Sequence, residues 1–396
     1  MIVGVPAETY PCERRVALVP GAASTLVGAG LEVLVEQGAG VNAGFPDAAF
    51  VEQGARIAPD RTRLFSLADV ILQVHGLGAN PEAGRADLEL MRTAQVVIGL
   101  LDPLGAPEAA QELAETGVTA FALELLPRIA RAQPMDALTS MATVAGYKAG
   151  LMAAEALPKM YPMMITAAGT ISPARVLVVG AGVAGLQAIA TSRRLGAVVQ
   201  ACDVRPAAKA QVESLGAKFV EIEMETGGTE TSGGYARAMG EEFYRRQREM
   251  MSQAVSESDV VITTAVSPGS KAPILVTDEM VQEMRPGSVI IDLAAERGGN
   301  CELTRPGERV ETHGVTILGP VILPSSIPYH ASQMYARNVT TFVQNLVDDG
   351  NLRLNSEDQI IRDTLLSHQG EVVSPEVREL LGLPILAPPM DERAGS

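Results

Sequence analysis

Three glycines, Gly180, Gly182 and Gly185, stand in the spacing G-x-G-x-x-G, and Asp203 closes the next apolar run. That combination suits the binding of a dinucleotide. The first glycine allows a tight turn, the second lets backbone approach a pyrophosphate, and the third lets a helix pack close to a strand. Val183 and Ala184 lie between the last two glycines, where the first N–H groups of a helix would face phosphate. A carboxylate at Asp203 can accept both hydroxyls of an adenosine ribose. It would repel a 2′-phosphate, so NAD(H) is favoured over NADP(H). Arg205, two residues on, has two readings: a charge close enough to unsettle that preference, or a solvated loop charge. The bland alternative for the glycines is packing alone.

These groups do chemistry only if the chain sets them at the end of a buried strand. The stretch RVLVVGAGVAGLQAIATSRRLGAVVQACD, 175–203, does so. Val176–Val179 is a β-branched and apolar run of the kind a parallel strand needs. The helix is expected over roughly Ala184–Leu195 and the second strand over Val198–Ala201. Further along, Asp259–Ala265 reads as a strand ending in SPGSKAP, which puts Ala265 at a strand end as a further cofactor contact. Ser288–Leu293 is another strand, followed by AAERGGN. Glu296 and Asn300 there either edge the nicotinamide pocket or serve as turn and capping residues. Residues 223–240, EMETGGTETSGGYARAMG, are polar, glycine-rich and without apolar periodicity. They read as a mobile surface flap with Tyr235 as its one large aromatic.

The composition excludes several classes. A net charge of −16, few aromatics and no Trp argue against a nucleic-acid partner, because phosphate binding depends on Lys and Arg. Cys12, Cys202 and Cys301 have no metal-ligand spacing and read as free thiols, and the four histidines are scattered, so no metal site is expected. MIVGVPAETY passes straight into a strand, and no long uninterrupted apolar run follows, so no targeting segment or membrane span is expected. At 396 residues the chain suits about two domains.

Along the first half, strands and helices alternate: Ile2–Val5, Gly21–Ala29, Glu32–Glu36, Ala48–Gln53, Ala68–Val74, Leu88–Thr93, Gln95–Leu100, Pro107–Glu115, Thr119–Leu123. Alternation of this kind implies a doubly wound parallel sheet. Lacking the glycine fingerprint, it reads as a second Rossmann-like domain without a phosphate loop. LLPRIARAQPMDALTSMATVAGYKAG then runs from an Arg/Gln/Asp-bearing loop into a long helix, and Ile327–Leu346 looks like a second long helix returning to the first domain. The expected α/β architecture is therefore two Rossmann-like domains joined by long helices with a cleft between them. Residues 1–140 plus 325–396 form the first domain and 141–324 the NAD(H)-binding one. Val315–Gly319 is expected as the last strand, and the tail from Leu383 as loose.

At this point a family likeness is carried by LELLPRIARAQPMD (123–136), by PMMITAAGTISPARVLVVGAGVAGLQAIATSRRLGA (162–197) and by GSVIIDLAAERGGNC (287–301). The chain resembles the NAD(H)-binding component of proton-translocating nicotinamide nucleotide transhydrogenases, over nearly its whole length. The same superfamily includes alanine dehydrogenase. The resemblance implies direct hydride transfer between NAD(H) here and NADP(H) on a partner subunit, coupled to proton translocation. It implies membrane-spanning and NADP(H)-binding partner subunits, and a cytoplasmic position on the inner face of the cell membrane held through them. It also implies a homodimer, for which the Ala/Gly/Met-rich helix around 141–157 is one available surface.

Residue by residue, the family's Arg–Gln–Asp loop falls on Arg128, Gln133 and Asp136, with Gln133 holding the nicotinamide ribose. Arg128 and Asp136 have an equal alternative as a salt-bridged loop brace. Thr139 stands where the family has serine, Pro134 where the resemblance leads one to expect serine, and Arg131 reads as a solvated or partner-facing charge. Tyr235 would close over the nucleotide, with an ordinary packing tyrosine as its alternative. The rival is an alanine-type dehydrogenase, whose family uses an Arg, a Lys and a His in the first domain. Arg15 is present, but QVHGLG offers His75 and no Lys, and IGLLDPLG offers no His. His75 then reads as a lone surface histidine. A non-catalytic NAD-sensing protein ranks last.

Overall fold

The computed structural model describes residues 1–221, 241–267, 269–348 and 350–386, leaving aside the side chains of 241–243. The chain divides into two compact units, Met1–Met141 with Ser325–Ser396, and Ala142–Pro324.

The first unit begins as alternating strands and helices: β1 (Ile2–Val5), α1 (Pro20–Gly28), β2 (Glu32–Glu36), α2 (Asp47–Glu52), β3 (Arg56–Ala58), α3 (Arg61–Leu67), β4 (Val70–His75), α4 (Arg85–Leu88), β5 (Val96–Leu100), α5 (Pro107–Glu115) and β6 (Thr119–Ala122). The helix expected at 88–93 lies earlier. Asp87 is drawn inward by Arg61 and Gln73, and Ala94 takes a left-handed φ of 66° that turns the chain into β5. Strand β3 escapes a reading of the sequence because three residues are too short to show a period.

Helix α6 (Ala137–Ala156) begins in the first unit and continues past the boundary at 141/142. The second unit goes on with a small hairpin, β7 (Met164–Thr166) and β8 (Gly169–Ile171). There follow β9 (Arg175–Val179), α7 (Val183–Arg194), β10 (Val198–Cys202), α8 (Ala208–Ser214), β11 (Lys218–Phe219), α9 (Glu241–Ser256), β12 (Val260–Thr263), α10 (Asp278–Gln282), β13 (Val289–Asp292), β14 (Arg309–Thr312) and β15 (Val315–Leu318). The chain then re-enters the first unit ahead of α11 (Pro328–Leu346). After it come β16 (Val347–Asp348), β17 (Asn351–Leu352), α12 (Gln359–Thr364), β18 (Leu365–His368), β19 (Glu371–Val372) and α13 (Pro375–Leu380). The 315–319 run is thus not the last strand.

The first sheet has the order β19-β18-β6-β5-β4-β1-β2-β3, and the second β11-β10-β9-β12-β13-β15-β14. Both are Rossmann-like. Pairing is parallel except where β18 and β19 extend the first sheet and β14 edges the second. Along β9 the side chains alternate between two cores. Val176 and Val178 pack with Ala149, Ile189 and Val212, whereas Leu177 and Val179 pack with Met251, Val255 and Val281. A strand covered on both faces needs no polar positions, which is why VLVV is continuous. Helix α6 packs tightly on α7: a methyl on Gly146 would strike the Ala184 carbonyl, and one on Gly150 would stand 2.9 Å from Thr191. The glycine face of the 141–157 helix is therefore used inside the unit. Among the described residues no helix is long and apolar enough to cross a membrane.

Candidate functional site

The turn after β9 gives each glycine a separate reason. Gly180 has φ 93°, and a methyl there would stand 2.6 Å from Thr264 Oγ1. A methyl on Gly185 would run into the Gly180 carbonyl oxygen. These two are required by the protein's own packing. Gly182 differs: among the described residues a methyl on it would meet only the Arg205 guanidinium, at 4.0 Å. Packing by the described residues does not demand glycine there; close approach of a ligand would. Gly182 is also the N-cap of α7, with no side-chain cap bond and no acidic residue in the first turn. The N–H groups of Val183, Ala184 and Gly185 thus open a twelve-residue helix whose positive dipole end is left for an anion.

Asp203 follows β10 as the sequence requires, but its surroundings hold a surprise. Its Oδ2 accepts from the Ala181 backbone N–H (2.7 Å) and from Arg205 Nη2 (2.9 Å). Its Oδ1 accepts from the Arg205 backbone N–H (2.8 Å) and Nε (3.0 Å). The Asp203 and Arg205 side chains are 5% and 17% exposed. The solvated-charge reading of Arg205 therefore fails, and Asp203 also ties the glycine turn to the end of β10.

Next to β9, the loop after β12 is fixed by two buried side chains. Asn300 accepts from the Ala265 N–H (2.9 Å) and donates to the carbonyls of Ala265 (2.8 Å) and Pro273 (2.9 Å). Asp292, ending β13, accepts from Thr263 Oγ1, the Ala294 N–H, the Asn300 N–H, the Cys301 N–H and Thr304 Oγ1, all within 3.0 Å. Sequence reasoning misses Asp292. Its one visible signal is a carboxylate terminating an otherwise apolar strand, which demands a set of donors once buried. Glu296 is exposed and accepts from the Ile322 N–H (3.0 Å).

In the first unit, residues 130–135 form a 3₁₀ turn leading into α6. Asp136 caps that helix, accepting from the Thr139 N–H (2.8 Å) and Oγ1 (2.6 Å). Gln133 and Arg128 are both exposed. Behind the turn, Asn338 of α11 donates to the Pro134 carbonyl (2.8 Å) and Arg131 pairs with Asp358. Arg131 is thus half exposed but anchored, not simply solvated. Arg128, Gln133, Asp136 and Thr139 all lie on the 128–139 stretch of the first unit, where Asp136 and Thr139 bond one another. The structure groups Gly180, Gly182, Val183, Ala184, Gly185, Asp203 and Arg205 in the second, with Ala265 beside Gly180 through Thr264. Tyr235 lies outside the described residues.

A buried charged cluster also sits at the β1/β4 switch of the first sheet. Arg15 donates through Nε (2.8 Å) and Nη2 (2.6 Å) to Glu13. Burial alone would raise the Glu13 carboxyl, but the Arg15 hydrogen bonds and charge prevail and hold it at about 2. Arg15 Nη2 also lies 3.1 Å from His75 Nε2. An arginine only donates, so that nitrogen must accept and the ring is neutral with its proton on Nδ1. Burial, then the Arg15 charge, lowers His75 to about 4. His75 is not the surface histidine expected. Glu8 accepts the N–H groups of Val74 (2.6 Å) and His75 (3.0 Å), yet burial outweighs them and pushes it to about 7.

Comparison with known proteins identifies both domains. Residues 4–145 match the model of the alanine dehydrogenase/PNT N-terminal domain, and 149–375 that of the C-terminal domain. The chain is 46% identical over 378 residues to an NAD(P) transhydrogenase alpha-subunit polypeptide of Rhodospirillum rubrum, covering 95% of this chain and 98% of that one. It is 30% identical over 391 residues to alanine dehydrogenase of Bacillus subtilis, covering 96% and 95%. Among solved structures, a transhydrogenase from Sinorhizobium meliloti superposes with a TM-score of 0.84 at 44% identity, over 94% of this chain and all of that one. With both domain models matched in order and nearly the full length aligned, the chain belongs to the alanine dehydrogenase/PNT family.

Proposed function

We propose that this chain is the NAD(H)-binding alpha subunit of a proton-translocating transhydrogenase. It would pass hydride directly between its own NAD(H) and NADP(H) held on a partner subunit. The observation that carries the reading is Gly182, a glycine that packing by the described residues does not require, at the uncapped start of α7 and beside Asp203. Membrane-spanning and NADP(H)-binding subunits are the partners, and the chain sits peripherally on the inner face of the membrane through them, as a homodimer.

The bound nicotinamide supplies the hydride or accepts it. The α7 N–H groups hold the pyrophosphate, and Asp203 holds the adenosine ribose. Gln133 anchors the nicotinamide ribose from a turn that Asp136 and Thr139 fix to α6, and Arg128 flanks it. Ala265 and Glu296 edge the pocket, and Tyr235 latches over it. Hydride passing from one ring to another moves no net proton at the reacting carbons, so positioning and exclusion of water replace an acid–base pair. A neutral amide on a braced turn suits that task.

The alanine-type reading has weaker support. Where that chemistry wants a lysine, the chain has His75, neutral and turned to Arg15. The test is purified chain with an NADP(H)-binding partner domain, expected to pass hydride from NADH to NADP⁺. Equal turnover with alanine or pyruvate and NAD(H) alone would overturn the proposal in favour of the rival. Gln133→Asn is expected to cut hydride transfer at least tenfold with NADH affinity little changed, because it shifts an anchoring amide by one methylene. A loss of affinity with the rate intact would reassign the residue.

A further inference from the structure

The Asp203 carboxylate is already occupied. Two donors reach each oxygen: backbone N–H groups of Ala181 and Arg205 supply one each, and the Arg205 guanidinium supplies the other two. A ribose diol that bonds both oxygens competes with these donors for them. The backbone donors are fixed by the turn, so the guanidinium is what can leave. It sits beside Gly182, at the open side of the turn, and remains charged wherever it swings.

We infer that Arg205 is a specificity-setting gate at the ribose end of the dinucleotide site. It competes with the diol of NAD(H) for Asp203, and once displaced it offers a counter-charge to a 2′-phosphate. The inference rests on the reading of 180–205 as a dinucleotide site. Its consequence is that Asp203, neutralised in part by Arg205, discriminates against NADP(H) less sharply than a bare carboxylate in that position.

Arg205→Ala removes the guanidinium and leaves both backbone donors to Asp203, so the turn keeps its tie to β10. Titration of the isolated chain with NADH and with NADPH reads the result directly. The chain has no Trp to obscure the fluorescence of the reduced nicotinamide. The variant is expected to bind NADH about three- to tenfold more tightly and NADPH weaker by a similar factor, the scale of one charge-assisted hydrogen bond lost or gained. Arg205→Lys, which keeps charge but not the fork, should retain the NADPH affinity better than Arg205→Ala. Added salt should weaken NADPH binding more in the wild type than in Arg205→Ala. Both affinities moving in the same direction, or neither moving, overturns the gate while leaving the dinucleotide site standing. A wild-type chain that binds neither nucleotide overturns both readings.

Discussion

At the carboxyl ends of β1 and β4, charged side chains turn to one another. Arg15 spends its donors on Glu13 and His75, and Glu8 takes the N–H groups of Val74 and His75. At the end of β9 in the other unit, the described residues leave the backbone uncovered: among them Gly182 meets only the tip of Arg205, and α7 starts without a side-chain cap. Both sheets are Rossmann-like with a switch in strand order at the same relative place, between β1 and β4 and between β9 and β12. The lesson is that the architecture supplies a strand-end platform and the residues on it decide its use. In the first sheet they pair with one another, His75 Nδ1 alone of the cluster's named atoms staying buried without a hydrogen-bond partner among the described residues, so changing them should cost stability. In the second they leave donors over, so changing them should cost binding.

The largest expected effect breaks the first half of that contrast. Glu13→Gln leaves the Arg15 guanidinium buried without its counter-charge, which should destabilise the first unit by about 3–5 kcal/mol. Urea unfolding followed by amide exchange in β1 and β4 should show the loss there. Unchanged protection in those strands would mean that the cluster is not structural. Gly185→Ala tests the second half from its structural side. The added methyl must push on the Gly180 carbonyl, and overpacking of that kind costs about 1–3 kcal/mol. The thermal midpoint should fall, and NADH binding with it.

Burial also sets a pH response in the first unit. Glu124 accepts the Asp102 N–H (2.7 Å) through Oε1, and holds Oε2 buried with no hydrogen-bond partner. Burial pushes it to about 7, against the pull of that N–H. Since its folded value lies above the usual 4.5, its contribution to stability is full below that pH and is lost as pH rises through about 7. Glu8 acts in the same direction, whereas His75, lowered to about 4, adds stability as pH rises toward 6.5, so the wild-type decline should be clearest from about pH 6.5 to 8. Glu124→Gln should flatten part of that slope, gaining about 1–3 kcal/mol over wild type at pH 8. Denaturant midpoints across that range check it, and parallel curves for the two proteins would refute it. The smallest expected change in stability is the sharpest on function. Gly182→Ala should alter stability by no more than about 0.5 kcal/mol yet cost NADH binding at least tenfold, because in the proposed site its methyl would stand where the pyrophosphate comes.

The second unit is the more legible from sequence because its site is local. Strand, turn, helix and acid follow within residues 175–203, so the motif can be recognised from neighbours in the chain, although the contact that fixes Gly180 comes from Thr264. What sequence misses there comes from later loops. Asp292 shows its purpose only when residues 294–304 fold back on it, and Arg205 only when its side chain turns onto Asp203. In the first unit the decisive contacts are far apart in sequence. His75 meets Arg15 across 60 residues, Arg131 meets Asp358 across 227, and Ser332 Oγ accepts the Val16 N–H across 316. No periodicity announces such pairings, so His75 and Arg131 read as surface charges. The short strands β3, β18 and β19 are hidden for another reason, being held by neighbours in the sheet more than by their own composition.

The first unit's split has a bearing on how the polypeptide is made. Strand β6 gains its outer neighbour β18 only from the final stretch, and Tyr335 of α11 donates to the Gln73 carbonyl (2.6 Å) from the same late portion. A ribosome releases everything up to Pro324 before that portion emerges. The nascent amino-terminal sheet must wait with an open, sticky margin, while the segment translated after it already has every strand it needs.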